Sequence, residues 1–273
     1  MLKKIYNSLC RILPYRIVKT YLLPLRYQQR SIRAYHAKEF FESYYSLEGS
    51  KGDGHTVSPD ANPLLVNYHY NQVENAIIEF MSCQRGVPEI KHVLDIGAGS
   101  GHWTNFYLQT FRTGRVTAIE ISTVAAMRLQ ERFRSLPVTV INQDVASANP
   151  LPEAVDLISA IGVMFHIVED AELEMVVERL AARLLPGGVF IISGHFGWIS
   201  QNTQFHSNDD FSSWAETRNT SNTKALLVDK RVRSRFFWHR LLKRNGLHIK
   251  QIRRHRNPLN GPENNVLFAV RGD

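Results

Sequence analysis

The segment Asp95-Ile96-Gly97-Ala98-Gly99-Ser100-Gly101 concentrates the residue types best suited to hold a small ligand. It follows the apolar run Val93-Leu94 and precedes a helical pattern, so the glycines fall in a strand-to-helix turn. Glycine lets the backbone turn sharply and brings a ligand close to the main chain with no Cβ in the way. The helix beyond Gly101 starts with amide N–H groups that have no partner inside the helix, which suits a carboxylate or phosphate. Two further acids close the next strand-like runs: Glu120 in Val116-Thr-Ala-Ile-Glu-Ile, and Asp144 in Asn142-Gln-Asp-Val.

Three ligands compete for such a loop. A phosphate-gripping loop ends in Gly-Lys-Ser/Thr, and His102-Trp103 stand here instead, which excludes it. A dinucleotide fingerprint reads GxGxxG, whereas this loop reads GxGxG with an acid two residues before the first glycine, so NAD is disfavoured. An acid at the strand end, GxGxG, and a second acid ending the next strand suit a ligand with an ammonium at one end and a ribose diol at the other. The two carboxylate oxygens of Glu120 can accept from both ribose hydroxyls.

With these features in place, residues 91–195 resemble a class I S-adenosylmethionine-dependent methyltransferase of the small-molecule branch. Val93 to Gly101 is similar to that family's first motif, and Glu120 stands where the family has its ribose-binding acid. Asp144 resembles the acid that reads the adenine amino group, with Val145 beside the ring. Ile161 to Ile167 matches the loop facing the transferable methyl, and Leu185-Pro-Gly-Gly-Val-Phe-Ile-Ile matches the start of the fifth strand. The resemblance implies S-adenosyl-L-methionine as cofactor, held by Asp95, Gly97, Ala98, Gly99, Gly101, Glu120, Ile121, Asp144, Val145 and Ile161. Tyr68, with Tyr70 beside it, is a further candidate at the methionine end. It also implies a Rossmann-like, seven-stranded, mostly parallel α/β sheet of order 3-2-1-4-5-7-6, with helices on both faces and an N-terminal helical cap. Residues 1–65 and 196–235 have no counterpart in it.

Methyl transfer needs an acceptor placed in line with an activated donor, and such positioning can supply on the order of 7–11 kcal/mol. A hydroxyl acceptor also needs its proton removed, and histidine has the suitable pKa range. His166, in Phe165-His166-Ile167, is the leading candidate base, with His195 second and His69 and His55 weaker. Ser159-Ala-Ile-Gly stands where an Asn/Asp-Pro-Pro-aromatic motif would serve exocyclic amines of nucleic-acid bases. No cysteine is placed to attack a pyrimidine ring, no acidic cluster suits a catechol-type magnesium site, and the double-glutamate loop of protein-arginine enzymes is missing. The expectation is a metal-free O-methyltransferase for a small-molecule, glycan or lipid-linked acceptor. An RNA-acting methyltransferase and a non-catalytic cofactor-binding partner are the alternatives.

The elements that must position these residues follow from the apolar pattern. Short runs at 92–96, 115–121, 138–142, 155–160 and 188–193 read as strands. Helical stretches near 102–112, 122–134 and 169–185 lie between them, the signature of a mostly parallel sheet covered on both faces. Before them come an interrupted helical segment over 1–45, a Gly/Ser/Pro loop over 46–63 and an amphipathic helix over 64–81. After residue 195 a polar, aromatic-dotted stretch runs to about Arg235, followed by a helix at 236–244 capped by Gly246 and a final strand pair, 247–253 and 265–271. Two units result: 1–90 as a helical cap that recognises the acceptor, and 91–273 as the cofactor domain with an insertion at 196–235.

The 273 residues carry a net charge of +8, unevenly spread. Residues 1–33 hold eight Lys/Arg and no acid, 34–223 hold twelve basic and twenty-two acidic residues, and 224–256 hold twelve basic residues against Asp229 alone. Two basic segments flanking an acidic middle favour an anionic partner. The first, with Leu2, Ile5, Leu9, Ile12 and Leu13 along it, could touch an anionic membrane surface. Arg253-Arg254-His255-Arg256 is the corresponding feature for RNA. Two cysteines without CxxC spacing are consistent with a reducing cytoplasm, peripheral contact with the inner membrane surface aside. No run approaches the roughly eighteen apolar residues of a membrane span.

Overall fold

A computed structural model of the chain describes residues 37–47, 63–83, 89–152, 154–194, 196–197, 203–206, 229–255 and 264–272. Helices α1 (Ala37–Leu47) and α2 (Pro63–Cys83) precede the sheet. The alternating core then follows: β1 (His92–Ile96), α3 (His102–Thr110), β2 (Arg115–Ile119), α4 (Thr123–Arg132), β3 (Val138–Ile141) and β4 (Val155–Ile161). A single 3-10 turn (Met164–His166), α5 (Asp170–Ala181) and β5 (Leu184–Gly194) come next. Short strands β6 (Phe196–Gly197), β7 (Thr203–His206) and β8 (Asp229–Ser234) lead into α6 (Arg235–Arg244), β9 (Leu247–His255) and β10 (Asn264–Arg271).

The main sheet has seven strands in the order β3-β2-β1-β4-β5-β10-β9. With β9 and β10 as the sixth and seventh strands of the expected pattern, this is the 3-2-1-4-5-7-6 order. β1 pairs in parallel with β2 and β4, and β10 runs antiparallel to both β5 and β9. All of β1 is buried, because β-pleating sends alternate residues to two covered faces. Val93, Leu157, Val189 and Phe268 meet α2 and α3 through Val73, Ile77, Phe80 and Tyr107. Leu94, Ile158, Phe190 and Leu267 meet α5 and α6 through Val177, Leu180, Trp238 and Leu241. Phe80 stacks on Phe268 with ring centroids 4.2 Å apart. Truncating an aromatic in such a layer costs about 3–5 kcal/mol.

Strand order reverses between β1 and β4, and the crevice above their carboxyl ends is the expected ligand site of such a sheet. Two sequence expectations change. The helix read over 169–185 ends at Ala181, and β5 starts at Leu184 rather than 188, since Leu184 already pairs with Val155. A register shift between Val155 and Leu157 absorbs Pro186-Gly187-Gly188, so the helix stop is swallowed by the strand. The stretch after 195, read as a lone insertion, contributes a second sheet of order β6-β8-β7. Residues 1–36, most of the 46–63 loop, His55, His195 and most of 198–228 lie outside the described residues. No helix among the described residues is long and apolar enough to cross a membrane.

Candidate active site

The glycine loop is built from both ends of the crevice. Gly97, Gly99 and Gly101 have φ of 65°, 57° and 87°, the left-handed region that side chains rarely enter. The amides of Gly97 and Ala98 both donate to the Ile119 carbonyl at 2.8 and 3.1 Å, tying the loop to the end of β2. A Cβ on Gly97 would fall 2.5 Å from a Val163 methyl, and one on Gly99 would fall 2.6 Å from the Tyr45 hydroxyl. The loop is therefore a cradle that side chains of its own would fill.

Asp95 lies under this loop, 1% exposed, and accepts from the Thr104 hydroxyl at 2.7 Å. Burial pushes its carboxyl up to about 7 against that hydrogen bond, and the nearby charge of Glu120 pushes the same way. Asp95 thus pins the start of α3. Glu120 sits just beyond β2, held by two amides: Gly99 N–H donates to Oε2 at 2.8 Å and Ser122 N–H to Oε1 at 2.9 Å. Burial raises its pKa, and the amides of Ser122, Gly99 and Ile121 pull it back. Each oxygen keeps a second lone-pair direction, so a diol could still be gripped by both.

Asp144 is half-buried in the turn after β3, its Oδ1 accepting from the Ala146 amide at 2.9 Å. The Arg179 guanidinium of α5 donates to the Ala146 and Ala148 carbonyls, fixing this turn, and Val145 is buried in the core beneath it. Ile121 and Ile161 are half-buried at their strand ends. Gly162 N–H donates to Ser193 Oγ at 3.1 Å, which turns the loop after β4 across the crevice and brings Val163 over Gly97. His166 follows in the 3-10 turn. Its ring is edge-on to Phe41 (centroids 5.0 Å, 87°) and tilted against Phe165 (4.5 Å). Tyr68 is 49% exposed on α2, and Tyr70 beside it lies flat on His102 at 3.9 Å, at the start of α3.

Helix α1 falls largely within the helical segment read over 1–45, but sequence reasoning named none of its residues at the site. Its Glu42 accepts from the Thr123 amide at 2.6 Å, and Arg128 donates to the Tyr45 carbonyl at 3.0 Å, fastening it across the start of α4. Tyr45 then covers the glycine loop and Phe41 covers His166, so one helix face spans both halves of the crevice. Burial and then the charge of Glu120 push the Tyr45 hydroxyl well above its usual pKa, keeping it a neutral donor. Aromatics at 40, 41, 44 and 45 were visible as a pattern, but nothing local in the sequence ties them to residues 99 and 166. No group of three His, Cys, Asp or Glu that could hold a metal occurs among the described residues.

Strand β8 packs against the 3-10 turn and the start of α5. Arg231 and Arg233 both donate to Asp170, Arg233 Nε at 2.7 Å, and Arg233 Nη2 also reaches the Ile167 and Val168 carbonyls at 2.8 and 3.2 Å. Burial lowers the pKa of the Arg233 guanidinium, and the Asp170 carboxylate counteracts it.

Comparison with known proteins agrees with this geometry. A methyltransferase-domain family model matches residues 93–188. Trans-aconitate 2-methyltransferase of Variovorax paradoxus is 28% identical over 133 residues, 49% of each chain. Malonyl-(acyl-carrier protein) O-methyltransferase of Chlorobium luteolum is 29% identical over 106 residues, 38% of this chain and 39% of that one. The chain thus spans about half or less of the curated relatives it matches. Magnesium protoporphyrin IX methyltransferase from Synechocystis, solved with bound SAM, aligns over 89% of this chain and 100% of that one with a TM-score of 0.57 at 16% identity, a likeness of fold. Glycine loop, strand order and matched family together show that this chain carries a class I S-adenosylmethionine-dependent methyltransferase domain, centred on residues 93–188.

Proposed function

We propose that the chain binds S-adenosyl-L-methionine along the glycine loop and transfers its methyl group to an oxygen of a small, carboxylate-bearing molecule. The observation that carries this reading is Glu120, its two oxygens fixed by the Gly99 and Ser122 amides beside a loop with no room for side chains. The cofactor supplies a methyl already activated by a sulfonium. The chain's task is then to hold, orient and exclude water. Glu120 accepts from the ribose hydroxyls, Asp144 and Val145 flank the adenine, and the N-terminus of α3 faces the carboxylate end. Tyr45 and Phe41 close α1 over the crevice and keep water out.

An oxygen acceptor of this kind is supported by the acceptors in the relatives' names, trans-aconitate and a malonyl group, both carboxylates. If the reactive oxygen is a hydroxyl, His166, in the 3-10 turn after β4, takes its proton in this reading. A carboxylate oxygen is already deprotonated at neutral pH and needs no base, and in that case His166 serves to orient the acceptor.

The test is calorimetric titration of the full chain with S-adenosylmethionine and its demethylated product, for wild type and Glu120→Gln. The amide turns a donor toward one of the two backbone N–H groups and toward the ribose. Each hydrogen bond to a charged partner contributes about 1.5–3 kcal/mol, so affinity should fall by at least about tenfold. Equal affinity in wild type and variant rejects the assignment.

A further inference from the structure

The hydroxyl of Tyr45 is a buried donor set against the glycine loop. The residue is 8% exposed, and its oxygen would lie 2.6 Å from a Cβ placed on Gly99. Glu120 is close enough for its charge to act on the phenol. Yet the two Glu120 oxygens accept from the Gly99 and Ser122 amides, and the phenol donates to neither. Outside the helix ladder, Tyr45 bonds another described element through its main-chain carbonyl, with Arg128 as donor. Its hydroxyl makes no hydrogen bond to any described residue.

Burial and then the charge of Glu120 raise the pKa of this phenol, so it keeps its proton and stays a donor. A buried donor without an acceptor is costly. Phenylalanine would keep the edge-on ring contact with Tyr44, centroids 5.3 Å apart, and avoid that cost. An acceptor brought by a bound ligand removes it.

One stretch of chain sets this donor in register with Glu120. Glu120 Oε1 accepts from the Ser122 amide, and the next amide, Thr123, donates to Glu42 of α1 at 2.6 Å. Ala125 packs among Phe40, Tyr44 and Tyr45, and Arg128 holds the Tyr45 carbonyl. Residues 120–128 thus fix a carboxylate and a neutral phenol together beside Gly99. A ribose hydroxyl both donates and accepts. One that donates to Glu120 keeps lone pairs to be satisfied, and a neutral donor next to the carboxylate satisfies them.

We propose that Tyr45 is a cofactor-binding residue, its hydroxyl donating to a ribose oxygen of the S-adenosylmethionine that Glu120 holds. Helix α1 is then part of the donor site as well as its cover. The inference rests on the reading in which Glu120 grips the ribose, and adds a second ribose contact from outside the main sheet.

The experiment is calorimetric titration of the full chain with S-adenosylhomocysteine and with methylthioadenosine, which carries the same ribose and no amino-acid end. It is run for wild type, Tyr45→Phe and Glu120→Gln. Tyr45→Phe should weaken both ligands by the same factor, about three- to tenfold, the range of one neutral hydrogen bond. Its melting temperature without ligand should match or exceed that of wild type, which a structural role for the hydroxyl would not allow. Unchanged affinity for both ligands overturns the proposal. Loss confined to S-adenosylhomocysteine puts the hydroxyl at the amino-acid end and overturns the ribose contact. A loss in Glu120→Gln with none in Tyr45→Phe rejects Tyr45 alone, whereas a wild-type chain that binds neither ligand rejects the cofactor site beneath it.

Discussion

Replacing Asp95 by asparagine should stabilise the cofactor-free protein above neutral pH and, at the same time, weaken its grip on the cofactor. Asp95 is 1% exposed, and burial raises its carboxyl from 3.8 to about 7. Between those two values the folded chain holds a proton that the unfolded chain has released. Stability contributed by this group therefore falls as pH rises, and the penalty is complete above about 7. At 1.36 kcal/mol per tenfold change in proton affinity, the full penalty is on the order of 4 kcal/mol, of which about 1.5 is already present at pH 5. Asparagine has the same shape and can still accept from the Thr104 hydroxyl, but carries no charge to bury. Urea unfolding of both proteins at pH 5 and pH 8, without cofactor, should show the variant gaining about 2–3 kcal/mol on wild type across that interval. All other titrating groups are common to the two proteins and cancel. A difference that does not change with pH, or a variant that loses ground at pH 8, refutes the buried-carboxylate reasoning. Parallel titration with S-adenosylmethionine should show weaker binding by the variant. A charge kept in a buried place at a cost to stability is the usual mark of a functional group.

The remaining predictions concern the loop, its covering helix and the base. Gly99→Ala places a Cβ 2.6 Å from the Tyr45 hydroxyl at a φ of 57°, so it should cost about 1–3 kcal/mol in urea melts. Adding Tyr45→Phe removes the clashing oxygen and should recover the steric part, leaving only the backbone strain; a double variant no more stable than Gly99→Ala alone would show that Tyr45 does not cover the loop. His166→Ala should flatten the acid limb of the kcat profile if the acceptor oxygen is a hydroxyl. If the oxygen belongs to a carboxylate, the pH profile should keep its shape while KM rises.

Much of the donor half of the site was legible in the sequence, because its determinants are local. The GxGxG spacing needs only a strand before it and a helix after it, and the positive φ at Gly97, Gly99 and Gly101 is a property of those residues alone. Glu120 and Asp144 were found because each follows an apolar run whose length the sheet sets. The α/β alternation likewise follows from period-2 and period-3.6 patterns within short windows. Boundaries proved less secure where a local signal met a pairing demand, as at Leu184, where a helix stop was overridden by the bond to β4.

What only the tertiary structure decided involves residues far apart in the chain. Tyr45 meets Gly99, Phe41 meets His166, and Arg235 meets Asn265, each across 30 to 125 positions. No periodicity encodes such pairs, since they depend on how α1 crosses α4 and how β8 lies on β6. The basic run at 230–235 read in the sequence only as a preference for some anion. Packing sorted it, directing Arg231 and Arg233 to Asp170, Lys230 to the Phe165 ring and Arg235 to Asn265. Sequence alone thus determined the shape of the glycine loop, because backbone conformation is written locally. The placement of charge along β8 was decided by the fold, because electrostatic meaning depends on which partner a side chain finally meets.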